Sequence, residues 1–477
     1  MTAAISLPGL LTALLLPWLL GSAWVYYLLR QSGRWNRFVV AGHGYIAGVF
    51  LTTLALRAYA ALGLPLHYWT LVAILAALAL LPVALVRKAA LPRQLDASGY
   101  NYRLWQKAVI TLMLSLLLVR YTTLAQELAL RPLFAWDSWM NWYPKAAVWY
   151  HFNDLVPYVS PEQWLAQAAG DNSYTLGNQR AWRYPPTVPL IQLWSMLGAG
   201  SASHPLLYLP WLLAVLAVGM ALYGHMRLTG STATVAVGAA YCLLSLPYFN
   251  VHTALVGYAD LWLAGAFGLA GFALYEWQTT RHVAYAVLAV FMALLCTQLK
   301  VPGLIFGAIV LTVFAASLVP ARRHLLTSLG GLAVLLAVLA IIGLDVDLPG
   351  IGAVKLSLNH VELPYLGSFN LKYHSLKGSL AEALLKSLNW NLLWYLVIAF
   401  ALASVCARRP SPRPSLDTWC ALLALPFLLF VFHFTYHYAF AINFTTVNRA
   451  FMYPVPILVF VLFRSLATAR ANPPDAK

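Results

Sequence analysis

The chain has 477 residues, of which 61% are hydrophobic and only 9% charged. A soluble domain carries about 25% charged residues, so this composition excludes a water-soluble globule and makes lipid the solvent for most of the chain. The formal charge of +16 then bears on membrane orientation, and no nucleic-acid partner is expected.

In chain order, apolar runs predict helical crossings at about 6–29, 38–58, 67–86, 108–126, 205–224, 231–248, 258–276, 283–299, 302–319, 325–344, 388–406, 418–438 and 450–466. Each approaches the ~20 residues a bilayer requires. The runs are continuously apolar, as over Leu71–Leu81, and lack the in–out alternation of barrel strands. The expected fold is an all-α polytopic membrane protein of about 13 transmembrane helices. The first run has no basic residues before it, so it reads as a spanning helix and not as a cleavable leader. Cys242, Cys296, Cys406 and Cys420 lie singly in or beside apolar runs, as small packing residues do.

Four regions follow: three N-terminal helices over 1–107, a core over 108–344 that includes a long loop at 127–204, a second long loop at 345–387, and C-terminal helices over 388–477. Tyr184–Ala199 is apolar but short, and it carries Pro185, Pro186 and Pro189. If it does not cross and the N-terminus is outside, the basic clusters at Arg34/Arg37, Arg87/Lys88, Arg322/Arg323 and Arg408/Arg409 all fall inside, as the positive-inside rule asks. If it crosses, the last two pairs become external. The non-crossing arrangement is therefore expected, with both long loops outside.

The first long loop opens with Phe134-Ala-Trp-Asp-Ser-Trp-Met-Asn-Trp-Tyr-Pro-Lys. Trp139, Trp142, Ala146 and Trp149 recur at helical spacing, and such aromatic helices lie at the headgroup level; Pro144 is expected to kink it. Asp137 starts this helix. It can serve as an N-cap or, walled from water by Trp136 and Trp139, as a general base; the two uses are compatible. Lys145 either snorkels from the interface or touches substrate. The Arg183-Tyr184-Pro185-Pro186 return permits irregular backbone where it lines a cavity.

Further chemistry falls at the same outer level. Asp260 begins a span, Lys300 separates two spans, and Arg449 precedes the last one. Ionisable residues near membrane depth are candidates for function. His433 and His437 are four apart and are expected on one helix face; without a third ligand or a His-Glu-x-x-His pattern they suggest packing or a phosphate hydrogen bond before a metal. His360 and His374 carry no interpretable pattern.

The order of these features resembles that of the GT-C membrane glycosyltransferases, in the bacterial branch related to protein mannosyltransferases and aminoarabinose transferases. It comprises an early Asp137 on an external surface helix, a Tyr-Pro-Pro return, Ala259-Asp260 at the head of a later span, and Lys300 followed by Gly303. The match in order covers roughly 108–320. It departs in its three extra N-terminal spans, in its Lys-Val-Pro-Gly sequence at Lys300, and in lacking a large external C-terminal domain. The resemblance implies a GT-C-like bundle with external interfacial helices, sited in the cytoplasmic (inner) membrane with its active site at the periplasmic face. It implies an inverting transfer of a sugar from a polyprenyl-phosphate donor to a glycan, lipid or protein acceptor. Asp137 would be the base, and Arg449 and Lys300 would meet the donor phosphate. Asp260, Lys145, Trp136, Trp139, Tyr184, His433 and His437 would contact substrates. No cofactor is expected, although some relatives use a divalent metal. The alternatives are a transporter or flippase of a lipid-linked sugar, an O-antigen ligase or polymerase-like enzyme, and a structural membrane subunit.

Overall fold

The computed structural model describes residues 5–86, 102–168, 172–178, 181–319, 331, 334–349, 352–406 and 414–471. The described residues are mainly helical. The N-terminal helices are α1 (Leu7–Leu29), α2 (Arg37–Ala61) and α3 (Tyr68–Leu85), followed by α4 (Leu104–Leu130). The first long loop contains α5 (Tyr143–Phe152), α6 (Pro161–Leu165) and α7 (Thr187–Ala199). The core continues with α8 (Leu209–Leu228), α9 (Ala233–Leu244), α10 (Pro247–Ala254), α11 (Asp260–Thr280), α12 (Val283–Leu299) and α13 (Val301–Leu318). The C-terminal part holds α14 (Leu393–Cys406), α15 (Leu416–Phe434), α16 (Tyr438–Ile442), α17 (Val447–Met452) and α18 (Val455–Ala471).

Among the described residues, seven helices are long and apolar enough to cross a bilayer, or eight if α9 and α10, bent by 58° at Pro247, count as one broken span. This is the architecture of a multi-pass helical membrane protein. The crossings expected at 283–299, 388–406 and 450–466 fall on shorter apolar helices, α12, α14 and α18. Of the one expected at 325–344, residues 334–342 are helical and most of 325–333 lies outside the described residues, as do the basic positions Arg87, Lys88, Arg322, Arg323, Arg408 and Arg409.

α11 is the axis of the core, buried along nearly its whole length. α8, α12, α13, α15 and α18 pack around it. Close backbone approach joins α1 to α2: a Cβ on Gly48 would meet the Pro17 carbonyl oxygen at 1.7 Å, and one on Gly21 the Gly44 oxygen at 1.9 Å. α4, by contrast, turns Leu112, Leu114, Leu118 and Val119 outward, as a lipid-facing helix does.

Two end-to-end bonds locate the Tyr184–Ala199 segment. The Ser6 amide donates to the Ala199 carbonyl at 2.9 Å, and the Leu66 amide to the Asn153 carbonyl at 2.7 Å. Residues 6, 66, 153 and 199 therefore sit at one end of the bundle. At 13 residues, α7 spans about 20 Å at 1.5 Å per residue, short of the ~30 Å hydrocarbon core, and it is buried in protein on nearly all sides. The segment enters and returns at the same end.

The opposite end holds a second buried polar group. Arg34 Nε meets Glu276 Oε2 at 3.2 Å, and Glu276 Oε1 lies 3.7 Å from His225 Nδ1. His225 Nε2 and His43 Nε2 are 2.9 Å apart. Arg464 pairs with Asp417 at 2.7 Å, joining α18 to α15, and its guanidinium lies 4.0 Å from the ring of Tyr275, the neighbour of Glu276.

One departure from the all-α expectation lies in the second loop. Residues 344–370 form a four-stranded antiparallel meander, β1 (Leu344–Leu348), β2 (Gly352–Leu356), β3 (His360–Leu363) and β4 (Gly367–Asn370), in the order β1-β2-β3-β4. Leu344, Val346 and Leu348 alternate with Asp345 and Asp347, the period of a strand. The following stretch straps onto the end of α15: the Lys372 amide donates to the Phe434 carbonyl at 3.0 Å and the His374 amide to the His433 carbonyl at 2.7 Å.

Candidate functional site

Residues 136–152 form one continuous helical segment in which Ser138–Trp142, near its start, is a π-helical turn. Pro144 has no amide hydrogen to donate. The chain meets this by widening one residue ahead of it, with the Tyr143 amide donating to the Ser138 carbonyl, so the expected kink is replaced by a wide turn. Such turns recur at functional sites.

Asp137 leads into that turn. Its side chain makes no capping hydrogen bond, so the N-cap reading is set aside. Its carboxylate Oδ2 instead accepts from Arg449 Nη2 at 2.5 Å. The same nitrogen donates to Asp260 Oδ2 at 2.8 Å. Lys300 Nζ donates to both Asp260 oxygens, at 2.9 and 3.2 Å. The Tyr453 hydroxyl donates to Asp260 Oδ1 at 2.5 Å. Four charged residues from four distant parts of the chain thus form one chain of contacts, Asp137–Arg449–Asp260–Lys300. Asp260 is completely buried, while 22% of the Asp137 side chain remains exposed, so the cluster opens at the Asp137 end.

Local backbone explains how these groups meet. Lys300 stands in extended conformation between α12 and α13, their shared cap. Gly257 has φ +81°, and a Cβ there would lie 1.8 Å from Ser138 Oγ. Only glycine fits both conditions. That contact brings the start of α11 against the Asp137 turn, where the Tyr258 hydroxyl accepts the Asp137 amide at 3.2 Å. The Tyr258 ring lies 4.8 Å from the Arg449 guanidinium, a cation–π distance.

Several expected contacts fall elsewhere. Trp136 and Trp139 do not wall Asp137: they are 60% and 42% exposed and pack edge to face on each other at 5.0 Å. Their amphipathic rings suit the headgroup level; the wall beside Asp137 is Tyr258. Lys145 does not snorkel. It is buried, and its Nζ donates to the Trp182 and Tyr184 carbonyls at 3.0 and 3.1 Å, pinning the return loop. Burial pulls its pKa from 10.5 to about 8. Tyr184 stacks on Trp142 at 5.0 Å. His433 and His437 do not share a helix face, because α15 ends at Phe434. The His433 ring stacks on Tyr373 and its Nδ1 lies 3.2 Å from the His374 carbonyl. His437 stacks on Tyr436 and meets Thr435 Oγ1 at 3.1 Å. Both belong to the packing of the strap.

Three residues of the site stand out weakly or not at all in the sequence. Tyr258 and Tyr453 are lost among 26 tyrosines. His252, buried on α10 with its ring 5.8 Å from that of Tyr258, has no hydrogen-bond partner at either nitrogen among the described residues. A histidine within a Pro-initiated apolar turn was the available clue.

No group of three or more metal-ligating side chains suited to a metal ion occurs among the described residues. The cluster's chemistry is that of two carboxylates and two cations: one carboxylate reachable from outside, and a guanidinium and an ammonium able to hold an anion. No family model matches this chain, and no curated protein or solved structure matches it.

Proposed function

We propose that the chain is an inverting glycosyltransferase that uses a polyprenyl-phosphate sugar as donor. The observation that carries this reading is the Asp137–Arg449–Asp260–Lys300 cluster at one end of an apolar bundle. Ionisable groups are costly there and are kept for function. The full topology in this reading has about thirteen crossings, with the cluster at the periplasmic face of the cytoplasmic membrane.

The lipid tail of the donor lies among the helices, and its phosphate sits against Arg449 and Lys300. An acceptor hydroxyl or amine approaches from the exposed side of Asp137. Its lone pair attacks the anomeric carbon opposite the phosphate. The bond from that carbon to the phosphate oxygen breaks, and its electron pair leaves with the phosphate. The acceptor proton passes to the Asp137 carboxylate, which returns it to water. The products are the glycosylated acceptor, inverted at the anomeric carbon, and polyprenyl phosphate. Cations held where negative charge develops favour that departure. Asp260, fully enclosed, fixes Lys300 and Arg449 and does not itself reach an acceptor.

The test is transfer from a synthetic polyprenyl-phosphate sugar by the purified full-length protein. Asp137→Asn should lower turnover at least ~10²-fold, as loss of a general base does. Unchanged turnover in that variant sinks the reading. A transporter of the same lipid-linked sugar is the second reading, favoured by the broken α9–α10 span; it requires movement of the donor across vesicles with no transfer.

A further inference from the structure

The cluster is electrically closed. Asp137 and Asp260 balance Arg449 and Lys300, so neither cation is left over for a phosphate. The two carboxylates are nonetheless held very differently. Asp260 receives Lys300 on both oxygens, the Tyr453 hydroxyl and Arg449. Among the described side chains, Asp137 receives Arg449 alone. If Arg449 moved away, Asp260 would keep Lys300 and Tyr453, and Asp137 would be freed.

The grip of Arg449 is also incomplete. One nitrogen, Nη2, serves both carboxylates, while its buried Nε meets no acceptor among the described residues. A guanidinium binds carboxylate or phosphate best through two parallel N–H groups. A phosphate at this place can take Nε and Nη2 together, which Asp137 does not.

We infer that Arg449 is a latch worked by the donor: the lipid phosphate draws the guanidinium off Asp137, so the carboxylate becomes able to accept a proton only once the donor is bound. This rests on the transferase reading and adds an order to it. The donor binds first, and an acceptor arriving alone finds Asp137 engaged. The same device keeps Asp137 from directing water at a donor before its phosphate has settled.

Because Asp137 and phosphate compete for one guanidinium, removing the carboxylate should tighten phosphate binding. The probe is a C55 polyprenyl monophosphate, titrated against the full-length protein in nanodiscs. Asp137→Asn, inactive in transfer, should bind this lipid about five-fold more tightly than wild type, the scale of losing one partly exposed competing ion pair. Asp137→Ala gives the same comparison should the Asn variant fail to fold, and Arg449→Ala should bind more weakly than wild type. In the wild type, infrared difference spectra on adding the lipid should show a carboxylate band shift, additional to any from Asp260, that is missing from both Asp137 variants. Equal or weaker binding by the Asp137 variants, or no band shift, overturns the latch and leaves the transferase standing if wild-type binding and turnover are normal. Failure of every variant and of wild type to bind the lipid overturns both.

Discussion

Lys145 shows how one buried cation can serve a loop without touching chemistry. It reaches under the Tyr184-Pro185-Pro186 return and holds two carbonyls. Burial disfavours its charged form, giving a pKa near 8 in place of 10.5. The folded state therefore releases this proton before the unfolded chain does. Between about pH 8 and pH 10.5 the unfolded chain holds more protons, so the contribution of Lys145 to stability rises with pH across that window. Below pH 8 both states are protonated and the burial cost is present in full. Limited proteolysis should show the loop becoming more resistant from pH 8 to pH 10. Lys145→Met should abolish that slope and speed cleavage at all pH values, because two carbonyls lose their donor.

At the scale of elements, the site depends on the start of α11 touching the π turn through Gly257. Gly257→Ala meets two penalties: a positive φ, about 1 kcal/mol or more for a non-glycine residue, and a Cβ 1.8 Å from Ser138 Oγ. Thermal unfolding should show a clear loss of Tm, and turnover should fall at least ~10-fold as Asp260 is displaced from Asp137. Ser138 Oγ is buried without a partner, so Ser138→Ala should be mild alone and should partly restore Gly257→Ala. Recovery to the wild-type Tm would show that the backbone conformation contributes nothing. The sequence disclosed the members of this junction but not the junction. Asp137, Asp260, Lys300 and Arg449 stand out because charge is scarce in an apolar chain. Their pairing does not, since it joins segments up to 312 residues apart. The π turn was hidden because Pro144 announces a disturbance without saying whether the helix breaks or widens. The meander, by contrast, has a sign in the alternation at Leu344–Leu348, a short signal beside the long apolar runs that flank it.

For the whole molecule, the two polar layers report the topology. Asp137, Asp260, Lys300 and Arg449 meet at one end, and Arg34, Glu276, His225, Arg464 and Asp417 pair away from it. A flip at Tyr184–Ala199 would require residues 6 and 199 to face opposite sides, which their hydrogen bond forbids. Ser138 is buried and unsuited to labelling, but Gln31 and Gln163 are exposed. Gln163→Cys should react with an impermeant maleimide in intact cells and Gln31→Cys only after lysis; labelling of both from one side contradicts the arrangement. Glu276→Gln should lower Tm by an amount on the scale of about 1 kcal/mol, because Arg34, 30% exposed and still bonded to the Leu228 carbonyl, would lose its counter-charge.

The glycine-to-carbonyl seam between α1 and α2 has a bearing on how the protein is made. Two helices joined by a seven-residue connection and fitted backbone to backbone can pair as soon as both have left the ribosome, with no help from later segments. Nascent chains arrested shortly after Ala61 should therefore already yield a protease-protected hairpin, and Gly48→Leu should abolish that early protection before any effect on the distant charged cluster can arise.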